Sequence, residues 1–197
     1  MFRSVQKAFD VNKASPIVAL RLARLYVQRG NIDKAKDIVK EALEANRTDR
    51  RLHFEYAKLL RLSSGTSNEE LIYHLQRPFT EGNSNYDAQL LYGRQLFVAG
   101  NLAGAQQVFQ RLRSAQVRPD TSHKLLYPLD GVFTGRVATL EASYCFVTRD
   151  GANDAVYVHS ENVGDDVWTG LTLGSRVSFR IAFTMTGPGG FDVQLIA

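Results

Sequence analysis

Few side chains in this sequence can do covalent or metal chemistry. There is one cysteine, Cys145, and four histidines, His53, His74, His123 and His159. A thiol beside an imidazole would make an activated nucleophile, which makes Cys145 with His159 the pair to consider. Both fall in β-like runs, where a small buried residue is the stronger reading of Cys145. His53, His74 and His123 lack ligand-like spacing with a cysteine or with one another. A Gly-rich phosphate loop, Gly-x-Ser-x-Gly and His-Glu-x-x-His are absent. No catalytic residue, metal ligand or cofactor is therefore assigned, and an enzyme is not expected. Asn46-Arg47-Thr48 fits a glycosylation acceptor, but a turn at a helix end is the plainer reading.

Two other sets of residues suit recognition rather than reaction. Arg24, Lys58 and Arg94 each follow a small residue, Ala23, Ala57 and Gly93, and Arg61 lies three beyond Lys58. Cations spaced this way would line one helical face and suit carboxylates, a chain terminus or phosphate. Tyr144 with Phe146, and Tyr157 with His159, alternate along two β-like runs, so each pair shares a face. Such rings stack nucleic-acid bases, worth ~1–3 kcal/mol each. Solvated cations and rings facing a core are the plain alternatives.

The elements that position the cations come from a repeat. Ala19-x-x-Leu22-Ala23-x-x-Tyr26 recurs 34 residues on as His53-x-x-Tyr56-Ala57-x-x-Leu60, and 36 further as Gln89-x-x-Tyr92-Gly93-x-x-Leu96. Each copy is followed by a second apolar pattern: Ala35 and Val39, Leu71 and Leu75, Ala105 and Phe109. Gly30-Asn31 and Gly100-Asn101 punctuate the helices. This resembles the tetratricopeptide pattern over residues 1–119. The resemblance implies stacked helix pairs whose concave face binds extended peptides or helices, with Leu20, Phe54, Leu90 and Phe97 as apolar neighbours of the cations. Pro78 stands where the other copies have Ala42 and Leu112, so the second repeat should be irregular and its helix should end near Arg77. Ala8 and Phe9 match Ala42 and Leu43, as if the chain began inside a second helix. The expectation is therefore the C-terminal part of a longer chain, and a sensor end of a larger enzyme is a third functional class.

Residues 120–130 read as a linker. From Gly131 the pattern changes to short β-rich runs, 132–140, 144–148, 155–159, 176–184 and 191–196, separated by Gly, Asp and Asn clusters. They include Gly187-Pro188-Gly189-Gly190. This predicts a small five-stranded antiparallel barrel over residues 131–197. Tyr144-Cys145-Phe146-Val147-Thr148 and Val156-Tyr157-Val158-His159 resemble the two nucleic-acid motifs of the cold-shock domain, a barrel of the oligonucleotide-binding (OB) fold. The resemblance implies base stacking on Tyr144, Phe146, Tyr157 and His159. The sequence departs from that family at Thr139, near its exposed Trp, and at Ser160, in place of a Phe.

Charge divides the same way. Residues 1–130 hold 20 Lys and Arg against 13 acids, +7, while residues 131–197 hold four arginines against seven acids, −3. Single-strand binders use a positive groove, so the barrel should bind single-stranded nucleic acid weakly or not at all. No apolar run is long enough to span a membrane, and a cytoplasmic address follows as the default. The expected fold is an α-solenoid of tetratricopeptide-like helix pairs followed by a cold-shock-like β-barrel. The leading expected function is an interaction scaffold binding a protein or peptide, with an acidic one favoured by Arg24, Lys58, Arg61 and Arg94. Single-stranded RNA or DNA binding through the barrel is the alternative.

Overall fold

The structure is a computed structural model and describes residues 2–63, 65–78, 85–115, 127–152 and 154–196. The chain divides into two compact units, Met1–Ala99 and Gly100–Ala197. Residues 116–126, which hold His123 and the first part of the expected 120–130 linker, lie outside the described residues.

The first unit contains α1 (Phe2–Val11), α2 (Pro16–Val27), α3 (Ile32–Ala45), α4 (Arg50–Arg61), α5 (Asn68–Leu75) and α6 (Tyr86–Val98). Local chemistry fixes where they start. The side chains of Asn31, Asp49, Ser67 and Asn85 accept hydrogen bonds from backbone N–H groups in the first turns of α3, α4, α5 and α6. Gly30 follows α2 at φ 73°, the left-handed conformation that ends a helix at little cost to glycine. Each helix packs on the next. The small residues of the repeat lie in the core: Ala19, Ala35 and Ala42 are fully buried, and Ala23, Ala57 and Gly93 are buried too. Leu22, Val39, Leu52 and Tyr56 fill the space around them. As the proline requires, α5 stops short of Pro78, ending at Leu75 with Gln76 as its C-cap. The match of Ala8 with Ala42 does not extend to burial, since Ala8 is exposed.

The second unit opens with α7 (Leu102–Ser114) and continues through β1 (Phe133–Leu140), β2 (Tyr144–Arg149), β3 (Ala155–His159), a 3-10 turn (Ser160–Asn162), α8 (Asp165–Gly170), β4 (Arg176–Thr184) and β5 (Gly187–Leu195). The strands close into a barrel in the order β1-β2-β3-β5-β4, with β3 and β5 parallel and the other pairs antiparallel. Alternation along each strand puts Val137, Cys145, Val147, Val156, Val158, Val177, Phe179, Ile181 and Val193 inside, each at most 2% exposed. In β4 the alternation stops at Ile181, and residues 181–184 are buried on both faces. Part of the cover is α7, whose Phe109 stacks on Phe183 with ring centroids 5.8 Å apart.

Two features correct the expected strand plan. Gly187-Pro188-Gly189-Gly190 is not a separating turn; it is the first half of β5. Thr184 pairs with Gly187 across a two-residue hairpin. A Cβ on Gly190 would lie 2.7 Å from Val158 Cγ2, so glycine stands there for close approach of two strands rather than for a turn. The short helix α8, between β3 and β4, was not anticipated at all.

Candidate functional site

Strand register gathers the four rings. Tyr144 lies opposite His159, and Phe146 opposite Tyr157, across the β2–β3 ladder. Cys145, Val147, Val156 and Val158 take the inward positions, so the rings stand on the outer face. Tyr144 and Tyr157 stack at 5.6 Å between centroids, Phe146 meets both edge-on at 5.9 and 5.7 Å, and His159 lies 6.3 Å from Tyr157. These are favourable aromatic separations, so the cluster also stabilises the sheet. Tyr157 is its most exposed member, at 36%. Burial, then Tyr144 and Glu161, raise the Tyr157 phenol above its ordinary range. The Glu161 carboxylate lies 3.7 Å from His159 Nδ1, at the edge of the cluster.

The same register separates Cys145 from His159. Cys145 pairs with Val158 and points into the barrel, fully buried, whereas His159 stands on the outer face beside Tyr144. Burial pushes the thiol up to about 11, the opposite of what a reactive cysteine needs.

In the helical unit, Arg24 of α2 and Lys58 of α4 converge on one carboxylate. Glu55 Oε1 lies 2.9 Å from Lys58 Nζ and 3.9 Å from Arg24 Nη2. Lys58 Nζ also stands 4.8 Å from the Phe54 ring centroid, a cation–π contact. Arg24 is well exposed, while Lys58, Arg61 and Arg94 are half-buried. Lys58 and Arg61 occupy the last turn of α4, where cations complement the helix dipole whatever else they do. Leu20 and Phe54 remain partly exposed, whereas Leu90 and Phe97 are buried core. Glu55 was missed by the sequence reading. Its signal was available in its position three residues before Lys58, the spacing of a helical ion pair.

A histidine pair was also missed. His53 Nδ1 and His74 Nδ1 are 2.8 Å apart, joining α4 to α5, and His53 Nε2 lies 2.8 Å from the Arg47 carbonyl oxygen. The carbonyl only accepts, so His53 Nε2 carries a proton. In a neutral pair His53 Nδ1 is then the acceptor and His74 Nδ1–H the donor. Tyr56 and Tyr73 pack edge-on against the His74 ring at 4.8 and 5.0 Å. Burial, then His53, then Arg77, lower His74 from 6.5 to about 4. No group of three or more His, Cys, Asp or Glu side chains suited to a metal forms among the described residues. No helix among them is long and apolar enough to cross a membrane.

Comparison with known proteins bears on the helices. Residues 3–59 match the family model described as tetratricopeptide repeat. The solved structure titled "Crystal structure of MamA" is similar at a TM-score of 0.48 and 16% identity, over 56% of this chain and 63% of that one. "Crystal structure of YrrB: a TPR protein with an unusual peptide-binding site" is similar at 0.48 and 18%, over 56% of each chain. A human protein, titled "Human IFIT1 dimer with PPP-AAAA", is similar at 0.48 and 21%, over 58% of this chain and 28% of that one. This chain thus spans less than two thirds of the length of each. No curated protein matches it.

Proposed function

We propose that the chain is an interaction scaffold whose helical unit binds an acidic, extended protein segment, and that Arg24, Lys58, Arg61 and Arg94 share the face that receives it. The observation that supports this most is the convergence of Arg24 and Lys58, from two helices, on the Glu55 carboxylate. Glu55 pairs with Lys58 at 2.9 Å and, more loosely, with Arg24 at 3.9 Å in the absence of a partner. An incoming carboxylate would replace it, with the Phe54 ring and Leu20 supplying apolar area. The tetratricopeptide match over residues 3–59 supports a peptide-binding role for the part of this face that carries Arg24 and Lys58. Exposed charge pairs contribute only ~0.2–1 kcal/mol each, so binding by this face is weak and salt-sensitive.

The test is fluorescence anisotropy with labelled peptides of about ten residues, rich in Glu or with Gln in place of Glu. The Glu peptide should bind more tightly. Lys58→Glu should weaken it several-fold, and Glu55→Gln should tighten it by removing the internal competitor. Equal binding of Glu and Gln peptides, or indifference to Lys58→Glu, would end this reading.

One observation favours a second activity, in the other unit. The Tyr144, Phe146, Tyr157 and His159 cluster offers an aromatic surface on the outside of the barrel. We read it as a platform for weak stacking of single-stranded nucleic acid. Titration of the whole chain with labelled oligo-U should show binding that Tyr157→Ala lowers. Failure to bind at low salt removes the second activity.

A further inference from the structure

Beside the rings the barrel carries a pair of arginines that its net acidic charge conceals. Arg136 of β1 and Arg176 of β4 are direct cross-strand partners, and both are exposed. Like charges directly opposite on a sheet repel, and the pair is only partly offset. Arg176 Nη2 lies 3.3 Å from Asp150 Oδ2, the oxygen that also accepts from the Thr134 hydroxyl at 2.6 Å. Arg136 donates to the Gly174 carbonyl at 3.3 Å. The hydroxyl, then both arginines, hold the Asp150 carboxyl below its ordinary range. Two cations and one anion leave this patch with a positive excess.

Register then ties the patch to the rings. On its other side Arg136 lies opposite Thr148 of β2, two residues from Phe146 and on the same face. Diagonal neighbours of this kind are ~7–8 Å apart, within reach of a long side chain. Phe146 in turn lies opposite Tyr157. The order across the outer face is thus Arg176 on β4, Arg136 on β1, Phe146 on β2 and Tyr157 on β3. Of the unit's other charges, Arg149 and Asp154 are locked together in a mostly buried pair, and Arg180 lies 3.8 Å from Asp192. Glu161 lies beside His159 at the ring end, and Glu141, exposed, stands in the β1–β2 hairpin next to Tyr144.

We propose that Arg136 and Arg176 contact the phosphates of a single strand whose bases stack on Tyr157 and Phe146, so that the strand crosses the barrel from β3 towards β4. This rests on the ring-platform reading above. It adds an electrostatic track whose residues are separate from the rings. Glu161 opposes the strand where it enters.

Anisotropy of the full chain with labelled oligo-U and oligo-dT of about 12 nucleotides, within the site size of one such barrel, tests both parts across a salt series. Each phosphate neutralised on a single strand adds ~0.7 to the slope of log affinity against log salt. The double variant Arg136→Ala with Arg176→Ala should flatten the slope by about 1.4 and weaken binding at low salt. Arg136→Lys with Arg176→Lys should keep the slope. Tyr157→Ala should weaken binding by about 5- to 160-fold and leave the slope alone, and Glu161→Gln should strengthen it. A double alanine variant with wild-type slope, alongside a weakened Tyr157→Ala, would overturn the arginine track and leave the platform standing. Absence of wild-type binding to both oligonucleotides at the lowest salt would overturn both. Fluorescence of the sole tryptophan, Trp168, verifies that each variant retains its barrel.

Discussion

Acidification should loosen the helical unit through His74. Unfolded, this imidazole titrates near 6.5; folded, it is held at about 4. Between those values the unfolded chain binds a proton that the folded chain does not, so stability falls as the pH drops. The contribution is complete above pH 6.5, is lost as pH falls towards about 4, and is constant below that. The span of 6.5 to 4 sets a ceiling of about 3.4 kcal/mol at 1.36 kcal/mol per pH unit. His74 is only half-buried, and solvent screening brings the expected loss to roughly 1–2 kcal/mol. The comparator is His74→Phe, which keeps a ring against Tyr56 and Tyr73 but cannot be protonated. Urea unfolding from pH 8 to pH 4.5, followed at 222 nm for the helices and by Trp168 for the barrel unit, separates this effect from acid loss elsewhere. Wild type should lose the extra 1–2 kcal/mol in the helical signal, and the variant should not. Superimposable pH dependences would refute the reasoning. So would nitrogen NMR showing His74 titrating near 6.5 or carrying its neutral-state proton on Nε2.

Phe109→Ala should destabilise the barrel unit by about 3–5 kcal/mol, because Phe109 is buried against Phe183. A Trp168 unfolding midpoint unchanged by the substitution would show that α7 does not support the barrel. Cys145, fully buried and with its thiol raised to about 11, should resist alkylation by iodoacetamide at pH 8 until denaturant is added. Rapid labelling of the folded chain, read by mass spectrometry, would contradict its inward position.

The sequence by itself determined what depends on short spacing. Ala23, Ala57 and Gly93 recur because helix backbones must approach at the same place in each repeat, and all three are buried. Asn31, Ser67 and Asn101 start helices through bonds spanning three residues. Alternation put Tyr144 with Phe146, and Tyr157 with His159, on one side of each strand, and the β2–β3 register then brought the two pairs together. Long-range pairing was beyond that kind of reading. His53 and His74 are distant in sequence, and only the packing of α4 on α5 brings their nitrogens to 2.8 Å. The Gly187–Gly190 run looks like a turn because glycine usually supplies conformational freedom, yet Gly190 is required by the approach of Val158 from another strand. Arg136 and Arg176 are far apart in sequence, and the β1–β4 register makes them neighbours. Local periodicity fixes which face a side chain takes. Which faces meet is decided by the closure of a barrel or the stacking of helices, because only then are backbone hydrogen bonds and apolar area satisfied together.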